Sequence, residues 1–173
     1  MTAFRKTLLI LVAVLGVMVP QAAMAEVVVG FYSHDLGSSF PHAFVTVKGT
    51  LDRGGPVIDT NYGFTAKSVT PAILMGSVAG ILESVDAKYV AKSDRQFVIK
   101  VSDAQYDALI TLVGQWRAIP GKSYSLNRRN CVHFVGHAAQ AVGLKVVSDQ
   151  KLMKKPKSFL LSVIALNPWV KGS

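Results

Sequence analysis

An α+β fold, a small antiparallel sheet with one cysteine-bearing helix packed against it, is predicted by three features of this 173-residue sequence. Short β-branched stretches in the first half alternate apolar and polar residues between turns rich in Gly and Pro. Two later stretches instead place apolar residues at helical spacing. Half of all residues are hydrophobic, enough for one domain with its own core.

Residues 1–25 combine a basic start (Arg5, Lys6), an apolar run from Thr7 to Val19 and an Ala23-Met24-Ala25 ending. This is the pattern of a secretory signal peptide cut before Glu26. The apolar run falls short of the roughly 20 residues that a membrane anchor needs. The mature chain then reads as a domain over 26–147 and a basic helical tail over 148–173, in a periplasmic or secreted protein.

"EVVVGFYS", from Glu26, is a first strand, and "SHDLGSSFP" a polar loop ending at Pro41. "HAFVTVKG", His42 to Gly49, and "VIDTNYGF", Val57 to Phe64, make a hairpin around "TLDRGGP". "TPAILMGSVAGILESV" begins with Thr70 as N-cap and Pro71 at the first helical position, which predicts an apolar helix. Its Gly76 and Gly80 allow close packing within the domain. "RQFVIKV", Arg95 to Val101, is a further strand.

Ser102 and Gln105 form a capping-box pattern that opens a helix. Leu109, Ile110, Val113 and Trp116 give it a core stripe, and Pro120-Gly121 ends it. After Asn130 the pattern is helical again, with Val135, Ala138, Ala139 and Val142 on one face and Gly143 as the stop. A short helix over 157–166, ended by Pro168, completes the tail.

Cleavage removes two of 19 basic residues and no acidic one, leaving 17 against 10 and a formal charge of +7. Such a charge favours an anionic cell wall or membrane surface. The tail lysines (Lys151, Lys154, Lys155, Lys157) have only Phe159 among them, so they form a solvated basic face and not a nucleic-acid platform.

Cys131 is the only cysteine. Exported domains usually carry cysteines in disulfide-forming pairs, so an unpaired thiol is either a small core residue or a group with a use. Its place at a helix start favours the second. Unpaired N–H groups and the helix dipole stabilise a thiolate there and can bind an oxyanion.

His133 and His137 follow on the same helix, where their side chains diverge from Cys131. Two imidazoles without a third ligand make a weak metal site. His34 lies in the loop. His42 opens a strand and has the rigid footing of a catalytic base, beside a returning strand that carries Asp59 and Asn61 on one face. Either could hold the His42 ring, completing a Cys–His–polar arrangement. Tyr32 and Tyr124 are further donors for an oxyanion.

The segment "NCVHFVGHAAQAVGL" resembles the nucleophile helix of the permuted papain-like enzymes, the branch of the NlpC/P60 superfamily that includes lecithin:retinol acyltransferase-like proteins. Asn130-Cys131-Val132-His133-Phe134-Val135 carries the likeness, together with a histidine strand that precedes the cysteine helix. It covers roughly residues 27–145. A second histidine often stands on the strand after the base in that branch; Asp59 occupies the matching segment here, which leaves the orienting role open between Asp59 and Asn61.

The resemblance implies a permuted papain-like catalytic domain, a cysteine hydrolase that forms an acyl-enzyme, with no metal or organic cofactor. An amidase or peptidase acting on cell-wall peptide is the leading expectation. A lipid-directed thiol hydrolase or acyltransferase uses the same chemistry and would need an apolar channel in place of a polar cleft. A non-catalytic envelope-binding module of the same fold would leave Cys131 buried or unpaired with His42.

Overall fold

The computed structural model describes residues 26–35 and 41–172. The expected signal peptide, and the centre of the loop before Pro41, lie outside the described residues.

Five antiparallel strands form one sheet in the order β4-β3-β2-β1-β5. They are β1 (Val27–His34), β2 (His42–Gly49), β3 (Ile58–Ala66), β4 (Gly80–Glu83) and β5 (Asp94–Val101). The helices are α1 (Ala72–Met75), α2 (Ala87–Ala91), α3 (Asp103–Arg117), α4 (Cys131–Ala141) and α5 (Pro156–Leu166). The expected α+β class and antiparallel sheet are therefore present. No described helix is long and apolar enough to cross a membrane.

Alternation divides the sheet into two faces. Val27, Val29 and Phe31 of β1 join Ala43, Val45 and Val47 of β2 in the core, where α4 supplies Phe134, Val135, Ala138 and Ala139. Phe31 stacks on Phe97 of β5, with ring centroids 4.6 Å apart, an arrangement worth about 1 kcal/mol beyond the area buried. The opposite, outer face carries His34, Tyr32, His42 and Phe44, since cross-strand partners share a face and His34 pairs with His42, Tyr32 with Phe44.

Two helix starts and one helix end behave as their sequences require. Ser102 and Gln105 form a reciprocal capping box at α3. Asn130 caps α4, and Gly143 ends it with φ +89°, a conformation that glycine adopts without strain. Leu109, Val113 and Trp116 are buried as expected, whereas Ile110 is only partly so. The tail helix docks on the domain: Phe159, Leu160 and Val163 are in the core, and buried Asn167 bonds Lys145 through its N–H and its carbonyl.

The apolar helix expected after Thr70 is corrected. α1 is a single turn, and from Gly80 the chain becomes strand β4, paired with β3. Hydrogen bonds to the open edge of β3 outweigh local helical pattern. Gly80 makes this possible, because a Cβ there would stand 2.5 Å from the Phe64 ring and 2.7 Å from Ser123 Oγ.

Candidate functional site

Asn130 organises the start of α4. Its Oδ1 accepts from the N–H groups of Val132 (2.9 Å) and His133 (3.3 Å). Its Nδ2 donates to the carbonyls of Leu126 (2.8 Å) and Met153 (2.7 Å). The loop before α4 and the segment before α5 are thus tied to the residue preceding the cysteine.

Cys131 is 6% exposed and free of any disulfide. Its Sγ lies 4.0 Å from the Pro41 carbonyl, and the N–H groups of Ala43, Val132 and Cys131 itself bear on the sulfur. Pro41 and Ala43 flank His42, so the thiol packs against the backbone of the strand that carries the expected base. These N–H groups lower the thiol pKa, yet burial dominates and pushes it up to about 11. The lowered pKa expected at a helix N-terminus is therefore corrected: loss of hydration outweighs the dipole in the folded state.

His42 projects onto the outer face. Its ring is near-parallel to Phe44 at 6.2 Å and edge-on to Tyr89 at 6.4 Å, and its Nε2 lies over Gly63. Burial, assisted by neighbouring His34, lowers its pKa to about 4. Burial thus opposes charge on both groups, and a buried Cys131 without an ion pair to His42 is the arrangement expected of a non-catalytic module as well as of an enzyme with a neutral resting thiol.

Neither expected third residue meets His42. Asp59 pairs with Lys48, six residues along β2, about 20 Å away at the strand rise, where it forms an exposed ion pair with Lys48 Nζ at 3.1 Å. Asn61 sits opposite Thr46 and is used structurally: its side chain both donates to and accepts from the Val85 backbone, at 2.9 and 2.7 Å. The hairpin register decides both, since sharing a face does not place residues at the same height along a strand. Among the described residues nothing accepts a hydrogen bond from the His42 ring.

The two tyrosines separate. Tyr124 lines a cavity of about 230 Å³ together with Cys131, and its backbone exchanges two 2.9 Å hydrogen bonds with Val78. Burial first, and then the Cys131 charge, raise its pKa. Tyr32 stacks on Phe44 at 5.2 Å on the outer face and does not line that cavity, which corrects its expected role beside the sulfur.

Tyr89 is an addition that the sequence did not reveal, and His34, expected in the loop, is instead the last residue of β1, paired with His42. Tyr89 stacks on His34 at 4.3 Å, and His34 Nδ1 lies 2.9 Å from Ser93 Oγ. The Tyr89 pKa rises to about 12, from burial and then from the Cys131 charge. Tyr89 is thus the side chain that responds to the thiol and also touches both histidines. The only available signal was Asp86, which caps α2 by accepting from the Tyr89 N–H.

The cavity is chiefly apolar. Leu74, Leu126, Val132, Met153 and Pro156 line it beside the sulfur, with Lys154 as its one charged group among the described residues. His133 and His137 face a different pocket, and no group of three metal-binding side chains exists among the described residues.

Compared with models of protein families, with curated proteins and with solved structures, the chain matches none.

Proposed function

We propose that this chain is an exported thiol enzyme of permuted papain-like arrangement, which forms an acyl-enzyme on Cys131 from a substrate with an apolar acyl group. The observation that carries the reading is the position of Cys131, at an N-capped helix start beside three backbone N–H groups, on the wall of an apolar cavity. A polar cleft suited to wall peptide would not be lined in this way.

In this scheme His42 acts as general base toward a neutral thiol. As the Cys131 S–H proton passes to His42, the sulfur bonds the carbonyl carbon and the oxygen takes the negative charge, held by backbone N–H groups with Tyr124 beside them. The carbon–heteroatom bond then breaks, and the leaving group takes the proton from His42. Water, deprotonated by His42, attacks the thioester; the carbon–sulfur bond breaks and the thiol regains its proton. Because the His42 ring occupies the outer face, the base must turn about the first residue of β2 to meet the sulfur. His42 is a strand-end residue whose side chain makes no hydrogen bond among the described residues, which supports such a turn.

Lys154 supports a second reading. It gives the cavity mouth a cation for a wall-peptide carboxylate, as an amidase would need.

Intact-protein mass spectrometry after incubation with p-nitrophenyl octanoate, p-nitrophenyl acetate and a wall-peptide amide separates these. Octanoyl transfer to Cys131, faster than acetyl transfer and absent in Cys131→Ser, is the expected result. Peptide cleavage with neither ester reacting would select the amidase reading. No adduct and no turnover with any of the three would reject both in favour of a non-catalytic envelope module.

A further inference from the structure

On the side of α4 away from the Cys131 cavity, a second pocket of about 380 Å³ gathers Arg128, Arg129, His133 and His137 around Trp116. The two cavities share no lining residue. The sequence arranges this pocket by two local devices. Ser125 and Arg129 exchange two 2.9 Å backbone hydrogen bonds around a tight turn, which presents both arginines. His133 and His137 are one helical turn apart, so they share a face.

The pocket is cationic without a counter-charge. No carboxylate lines it, and neither arginine takes part in an ion pair among the described residues. The Arg129 guanidinium lies 4.1 Å from the Trp116 ring centroid and 5.7 Å from that of Phe64. Stacking occupies the face of the group and leaves its in-plane N–H edge for hydrogen bonding. Among the described residues its buried Nε has no acceptor, an arrangement that costs stability.

A metal ion does not suit this site, because two arginines repel it and only two imidazoles are offered. A carboxylate supplies two oxygens, whereas four basic side chains from a turn and a helix surround the space here. A phosphate monoester offers three terminal oxygens spread tetrahedrally, which suits donors approaching from two elements better than the planar pair of a carboxylate. Leu112 and Ile119 provide an apolar wall beside them.

We infer that this pocket binds a phosphate monoester that carries a short apolar substituent. The inference stands apart from any chemistry at Cys131.

The test uses the mature protein with Trp169→Phe, which removes the exposed second tryptophan and leaves Trp116 as the reporter. Inorganic phosphate, hexyl phosphate, hexanoate, and phosphatidylcholine vesicles containing phosphatidic acid are titrated in turn. Saturable fluorescence changes with phosphate, and tighter binding of hexyl phosphate, are expected. Arg129→Gln should weaken binding about tenfold or more, the effect of losing a charge-assisted contact, and Arg129→Lys should restore part of it. A response to vesicles alone, lost in Arg129→Gln, would identify a lipid headgroup as the source of the phosphate. If Arg129→Gln lowers the melting temperature sharply, His137→Gln serves in its place. No response to any probe, a response undiminished in these variants, or hexanoate binding as tightly as hexyl phosphate would overturn the inference.

Discussion

The Nε2 of His42 lies 2.6 Å from the point where a β-carbon on residue 63 would stand, so the His42 ring is seated on Gly63. Phe44 pairs with Gly63 across the hairpin, and Phe44 closes the ring from another side. The glycine is needed for space and not for its backbone, because its φ is not positive.

Gly63→Ala should therefore move the base more than it harms the fold. The methyl group meets the tip of His42, which can turn aside, and Phe44 Cβ at 3.2 Å, which must give slightly, so a stability loss of about 1–2 kcal/mol is expected. Because His42 must leave this seat to meet the sulfur, ester turnover or acyl transfer should change severalfold if His42 is the base. Urea denaturation together with acylation rates checks both; unchanged acylation would remove His42 from the mechanism.

The thiol should behave as a buried neutral group. With its pKa pushed up to about 11, iodoacetamide alkylation of Cys131 should be slow at pH 7 and still rising at pH 9, because only the thiolate reacts. His42→Ala should leave this profile nearly unchanged. A rate that levels off below pH 8.5 would show an ion pair formed in the resting protein.

Stability should depend on pH through His42. Its folded pKa of about 4 lies below the unfolded value of 6.5, so between these values the unfolded chain binds more protons than the folded one. The contribution is complete above pH 6.5, declines as pH falls and is gone below about 4. The shift corresponds to at most about 3 kcal/mol, reduced by the partial exposure of the residue. His133 and His137, also lowered by burial, act in the same direction. Urea midpoints at pH 7.5, 6 and 5 should fall in turn, and His42→Gln should flatten the series.

Asn130 should be the costliest polar substitution near the site. Asn130→Ala removes an N-cap and leaves the Leu126 and Met153 carbonyls without their donor. A loss of about 3 kcal/mol is expected. Asn130→Asp keeps the cap but cannot donate, so it should fall between the two in thermal unfolding.

How far the site could be read in advance differed by residue. Asn130 and Cys131 were legible because a helix N-cap is a local event, settled by two or three neighbouring residues. Asp59 and Asn61 were misjudged because two residues on one face of a strand can lie at any height relative to a third. Tyr89 was missed because α2 is only five residues long and its ring comes to the histidines by tertiary packing.

The sequence by itself determined the local periodicities: four of the five strands, the long helices with their caps, and a single cysteine at a helix start. These depend on contacts within a few residues. The tertiary structure alone decided that residues 80–83 complete the sheet, that the tail belongs to the core, and that burial opposes charge on Cys131 and His42. Each of those depends on which distant groups remove water or supply hydrogen bonds, and burial of the Cys131 sulfur outweighs the helix terminus that its sequence position provides.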